Sequence, residues 1–336
     1  MPKAPPTPHE LAARYNSRAL ALLGKRVDKE GSVLKYCIED YLARPTNTDE
    51  HPLDNLTRHL LDTFDATHAS IRVRMQARHN GKTNAAALIE SSVRNSLMRS
   101  AGTNYQGLVT YALAAHLRDS QSAWFVQHPV PKAFGQSLSI RFTGGVVINP
   151  EEIQAAADPD EDPLLDEVIE EEEVELEDAS VTVAPDLDIL LQNAAWVPQP
   201  DTPEPILLLS VKTSLADRAG SAARWKNYFD IVTSPCAHLG EDDCAYRRLG
   251  IELANTPNVA ITHGIVTANI YKVNSDPKFA EFGELRTQQA RSNTFMFELR
   301  YTTRNENEKV MAPGWERLSQ LPGWLSAASA QYGLPI

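Results

Sequence analysis

Two apolar runs, each bounded by a charged residue, constrain this 336-residue chain more than any other feature. The first reads Pro185-Asp186-Leu187-Asp188-Ile189-Leu190-Leu191. A proline-rich loop follows, and the second reads Ile206-Leu207-Leu208-Leu209-Ser210-Val211-Lys212. Runs of this length and aliphatic content are strand candidates. They are expected over Asp186–Gln192 and Ile206–Val211, with a third over Val259–Thr267 and a helix from Leu215 to about Val232 before it. An acid opens one strand and a lysine closes the next. If the two strands are neighbours, Asp186 and Lys212 meet at one edge of a sheet.

Upstream the texture is helical. Apolar residues recur at spacings of three and four from Leu11 to about Leu117. Thr83-Asn84 before Ala85 reads as a capped helix start. That helix, which carries Glu90, is expected to end near Met98 and Gly102, with a second helix over Tyr105–Leu117. The segments 137–142 and 146–148 look like strand, with Gly144-Gly145 as a bend. The resulting order is helix, strand, strand, strand, helix, strand. It predicts an α/β (α+β) fold with a mixed central sheet flanked by helices and an N-terminal helical region. The expected divisions are a disordered, Pro-rich stretch 1–10, a helical region 11–130, a core 131–275 with an acidic insertion 151–182, and a C-terminal extension 276–336. Trp315 and Trp324 predict packing in the last of these.

The formal net charge of −12 argues at first against a nucleic-acid partner. Its distribution reverses that reading. Residues 151–178 hold fifteen Asp/Glu and no Lys or Arg, and the rest of the chain has 29 acidic against 32 basic residues. The body is mildly basic, with one solvated acidic segment attached. No apolar stretch approaches the roughly 20 residues of a membrane span. The first residues lack the apolar core of a signal peptide. Three cysteines make no disulfide framework, so a cytoplasmic location is expected. Cys236, His238 and Cys244, with His263 or Cys37, have no strong zinc spacing. Gly81-Lys82-Thr83 is not a Walker loop, because Gln76 stands where that motif needs glycine.

A carboxylate and a lysine at one sheet edge suit a metal-dependent phosphodiesterase. The carboxylate would hold Mg²⁺ on the scissile phosphate. The lysine would orient or deprotonate water and offset charge on the phosphorane. Pro185-Asp186 followed by Ser210-Val211-Lys212 resembles the PD-(D/E)xK nuclease signature in an S-x-K form. Residues 212–218 resemble the segment after the catalytic lysine in bacterial restriction enzymes, and the likeness spans about residues 83–270. It implies a restriction-endonuclease-like sheet and a Type II, Mg²⁺-dependent, site-specific endonuclease. It also implies a homodimer acting on double-stranded DNA, with a cognate DNA methyltransferase as genetic partner.

Asp186 is then a metal ligand and Lys212 the catalytic lysine. Ser210 departs from the pattern, since it stands where the family has an acid. Some relatives take that acid about fourteen residues after the lysine, but here the position is Lys226. Glu90, then Asp188, are the preferred candidates to complete the catalytic and metal set, with Asp217 and Asp230 behind them. Asp217 also has a structural reading, as part of a Ser214–Asp217 capping box. Thr213, Ser214, Arg218, Arg224 and Lys226 are candidate DNA contacts. Two other readings stay open: a repair or homing nuclease on the same fold, and a non-catalytic DNA-binding protein with a decayed site.

Overall fold

The computed structural model describes residues 4–27, 33–44, 51–142, 181–183, 185, 187–199, 202–213, 219–234, 250–253, 258–268, 299–303 and 315–336. Helix α1 (Pro8–Val27) starts inside the stretch expected to be disordered. Thr7 N–H donates to Glu10 Oε2 (2.9 Å), and Glu10 N–H donates to Thr7 Oγ1 (3.3 Å). This reciprocal capping box, with Pro8 at the first helical position, satisfies donors that a helix start otherwise leaves orphaned.

Helices α2 (Leu34–Ala43), α3 (Leu56–Asp62) and α4 (Phe64–His79) lead into α5 (Ala85–Asp119). Helix α5 is 35 residues long, or about 52 Å. The two helices expected here are one. Gly102 lies within it with nothing near its Cβ position, and a glycine inside a helix costs only about 0.5–1 kcal/mol relative to alanine. Packing outweighs that cost, because Tyr105, Leu108, Val109, Ala112, Leu113 and Leu117 are all buried. Asn84 precedes α5 with φ 61° and makes no side-chain cap bond.

The described strands are β1 (Trp124–Gln127), β2 (Ile140–Phe142), β3 (Val181–Val183), β4 (Ile189–Asn193), β5 (Glu204–Lys212), β6 (Ile251–Leu253), β7 (Val259–Thr267), β8 (Leu299–Thr302) and β9 (Glu316–Arg317). They form a six-stranded sheet in the order β1-β4-β5-β7-β8-β9 and a small sheet in the order β3-β2-β6. In the large sheet β4 runs antiparallel to both its neighbours, β1 and β5, whereas β5, β7, β8 and β9 run parallel. Parallel neighbours need a long crossover, and the one from β5 to β7 contains helix α7 (Ala219–Val232). The mixed sheet expected from the sequence is present. The segment 137–142 does not belong to it, however. Helix α6 (Lys132–Ser137) takes its start, and β2 pairs only within the small sheet.

Strand β5 is apolar on both faces because both faces are covered. Leu207, Leu209 and Val211 join Ile189, Leu191, Val266 and the buried residues of α5 in one cluster. Ile206 and Leu208 join Leu190, Val259, and Phe229 and Val232 of α7 in another. By period two, Ser210 and Lys212 fall on the α7 side. The C-terminal segment completes the first cluster through Leu318, Leu321 and Leu325, the last two in helix α8 (Leu321–Tyr332). There Ser329 Oγ accepts a 2.8 Å hydrogen bond from the Trp124 indole. No helix among the described residues is long and apolar enough to cross a membrane.

Gly264 sits mid-sheet between Leu209 and Leu299. A Cβ there would lie 2.8 Å from Leu209 Cδ2 and 3.1 Å from Leu299 Cβ. We expect Gly264→Ala to lower unfolding free energy by about 1–3 kcal/mol, as overpacked cores do. Urea denaturation measures this, and an unchanged midpoint would show that the sheet has room to spare.

Candidate active site

The antiparallel ladder pairs Ile189 with Leu209, so one step further sets Asp188, just before β4, across from Ser210. This is the edge where β4 begins and β5 ends. Asp188 Oδ2 accepts two hydrogen bonds from consecutive β5 residues: the Val211 N–H at 2.7 Å and the Lys212 ammonium at 3.0 Å. The pair is largely shielded, with side-chain exposures of 8% for Asp188 and 15% for Lys212. From the opposite face of the sheet, Gln106 Nε2 of α5 donates to the Asp188 carbonyl at 3.0 Å. One residue is thus held by a helix, a backbone amide and a cation.

Ser210 makes a different bond. Its Oγ and His263 Nε2 lie 3.0 Å apart and share a hydrogen bond, and both residues are buried. The Phe229 ring meets the imidazole edge-on at 5.0 Å. Burial lowers the His263 pKa to about 3, and the positive charges of Lys226 and Lys212 add to the effect. The ring is therefore neutral near pH 7. Lys226 Nζ donates to both carboxylate oxygens of Asp230, at 2.8 and 2.7 Å, one helical turn along α7.

Several expected residues are brought together: Asp188, Ser210 and Lys212 share one corner, and Lys226 acts on His263 at the same face. Thr213 follows directly on β5. Asp186, Ser214, Asp217 and Arg218 lie outside the described residues, as do Cys236, His238 and Cys244. Arg224 is a residue of α7 whose side chain is also outside the description. Glu90 is not part of this group. Its carboxylate, on a side chain 62% exposed, takes a bidentate pair from Arg72 at 2.7 and 3.0 Å. It stands 16 residues before Gln106 on the same helix, about 24 Å along its axis. Glu90 is therefore corrected from candidate ligand to surface ion pair. Cys37 is buried and bonded to Thr63, in the cluster on the face of the sheet away from His263, so these two do not share a zinc site. Among the described residues no three His, Cys, Asp or Glu side chains converge as a metal cage.

The sequence reading missed Gln106, whose bond to a backbone carbonyl leaves no motif. It also missed His263 as the partner of Ser210. A signal for the latter existed, since a polar side chain inside an apolar strand needs a hydrogen-bond partner.

The imidazole supplies a pH test. With its folded pKa depressed, His263 stays neutral in the native state while the unfolded chain binds a proton below about pH 6.5. Stability from this group is complete above that pH and is lost as pH falls toward 3. The slope should approach roughly 1.4 kcal/mol per pH unit within the window. We expect His263→Gln to flatten the acid side of the stability–pH curve, read from urea midpoints between about pH 4 and 7. Parallel curves for the two proteins would contradict the assignment.

No family model, curated protein or solved structure matches the chain.

Proposed function

We propose that the chain is a Mg²⁺-dependent endonuclease that hydrolyses phosphodiester bonds of double-stranded DNA, of the Type II restriction class in the PD-(D/E)xK manner. The observation that carries this reading is the contact of the Asp188 carboxylate with the Lys212 ammonium at the shared edge of β4 and β5, with position 210 facing Asp188. Counting only strands of the large sheet, the succession α5, β1, β4, β5, α7, β7 supports it, with β1 standing where residues 137–142 were expected. The site-specific reading brings with it a homodimer and a partner methyltransferase.

The donor chemistry fits Mg²⁺, a hard ion usually held by one or two carboxylates and completed by water and phosphate oxygens. Asp188 would be one ligand and Asp186, two residues upstream, the other. When bound, the ion would polarise the phosphate and lower the pKa of a coordinated water. Asp188 holds the Lys212 ammonium at the strand end, where it can orient water in line with the scissile bond and offset charge on the phosphorane. Water attack at phosphorus with departure of the 3′-oxygen would leave 5′-phosphate and 3′-hydroxyl ends. Ser210 contributes no charge; its hydroxyl is tied to His263.

The serine at 210 also favours a second reading, a DNA-binding protein whose nuclease site has decayed. Incubation with plasmid and phage DNA separates the two. Cleavage should require Mg²⁺, stop with EDTA, and give fragments with one sequence at their ends. Asp188→Ala and Lys212→Ala should each slow it by at least about a hundredfold, within the range for lost acid–base groups, while gel-shift binding persists. Wild-type rates in both variants would end the nuclease reading. Binding without any cleavage would select the decayed site.

A further inference from the structure

We propose that α4 and the first half of α5 form a basic arm that grips the phosphate backbone of duplex DNA beyond the point of cleavage, an inference that rests on the nuclease reading for its ligand. The direction of α5 carries the argument. Gln106 touches Asp188 at the candidate site, and Tyr105 Oη bonds Thr303 Oγ1 at 2.6 Å, just past the end of β8. Beyond Gln106, Leu108, Val109, Ala112, Leu113, Ala114 and Leu117 pack into the core. The residues before Tyr105 therefore run off the sheet at the edge where Asp188 and Lys212 meet. From Gln106 back to Ala85 is about 32 Å of helix.

Helix α4 accompanies it, and the two are held chiefly by each other. Among the described side chains of residues 64–100, only Thr67, Ile71, His79 and Val93 are buried. His79 Nε2 and Ser92 Oγ add a 3.0 Å hydrogen bond between the helices. Such a thin hairpin contributes little to the core, so its outer surface is open to another role.

That surface is more basic than the rest of the body. Residues 64–100 contain six Lys/Arg and two acidic residues, Asp65 and Glu90. Glu90 is consumed by Arg72. Arg74, Arg78, Lys82, Arg94 and Arg99 are exposed, and none has an ion-pair partner among the described residues. At about 100° per residue, Arg74 and Arg78 lie on the flank away from Arg72 and one turn apart, so Glu90 does not reach them. Cations without carboxylates are what a polyanion needs. Duplex DNA offers one phosphate charge per about 1.7 Å of axis, and each neutralised phosphate releases counterions. A second copy of this chain fits less well, because two such arms would repel.

The test is anisotropy of a labelled duplex with EDTA present, from about 50 to 200 mM salt, comparing wild type with the combined variant Arg74→Gln, Arg78→Gln, Lys82→Gln, Arg94→Gln. All four positions are exposed, and circular dichroism should show an unchanged fold. We expect the slope of log affinity against log salt to become shallower by about three to four, at about 0.9 per phosphate contact. Affinity at low salt should fall at least about tenfold, equally for any sequence. A combined Arg→Lys variant should retain both. Unchanged slope and affinity, preference for RNA over duplex DNA, or a variant altered only in self-association by sedimentation would each overturn the proposal. Wild type that binds with the steep slope yet never cuts in Mg²⁺ would sink the nuclease reading and leave the arm. Cutting by wild type, with DNA binding unaltered in the variant, would do the reverse.

Discussion

A single carboxylate oxygen, Oδ2 of Asp188, receives both the Val211 amide and the Lys212 ammonium, and the architecture converges on that point. The same residue's carbonyl takes the Gln106 side chain, so α5, β4 and β5 are joined at one corner. A shielded ion pair gains little over a well-packed apolar substitute, yet losing one partner typically costs 3–5 kcal/mol because the other charge is stranded. Elsewhere these strands are filled with Leu, Ile and Val. A corner that departs from that solution trades stability for a specific arrangement of charge.

That corner also fixes what lies on each side of the sheet. Side chains alternate along a strand, and a slip of one residue would carry every one to the wrong face. With Asp188 across from Ser210, Leu207, Leu209 and Val211 pack beneath α5, while Ile206 and Leu208 pack beneath α7. Ser210 and Lys212 then share the α7 side with His263, which a parallel neighbour, β7, brings alongside. The polar group is thus a product of the register that builds the two apolar clusters.

This explains why some features could be read from the sequence and others could not. Strand β7 spans the residues expected, and β5 nearly so, because a long aliphatic run bounded by polar residues has few alternatives. The meeting expected from the sequence is that of Asp186 with Lys212, and Asp186 lies outside the described residues; the acid described against Lys212 is Asp188, ranked below Glu90 in the sequence reading. Glu90 failed as a ligand for a reason invisible to spacing: α5 does not stop at Gly102, so the two ends of one helix are carried far apart. Strand β1 is only four residues long and comes soon after α5, too short for a period to register. The start of α1 was legible in principle, since Thr7 and Glu10 have capping-box spacing, but the surrounding prolines suggested disorder.

The serine at position 210 fits the electrostatics around it. Asp188 balances Lys212, and Asp230 balances Lys226, while His263 is neutral because burial and two nearby cations oppose its protonation. An acid in place of Ser210 would sit against that imidazole, favour its protonation and add an unbalanced buried charge, which interiors accept only when it is paired. A hydroxyl satisfies the imidazole Nε2 without either cost. A divalent cation would therefore meet one described carboxylate already engaged by lysine, and its further negative charge would have to come from Asp186 or from the phosphate itself. On that reasoning the site would bind metal weakly alone and more tightly with substrate, so that metal and DNA would assemble it together.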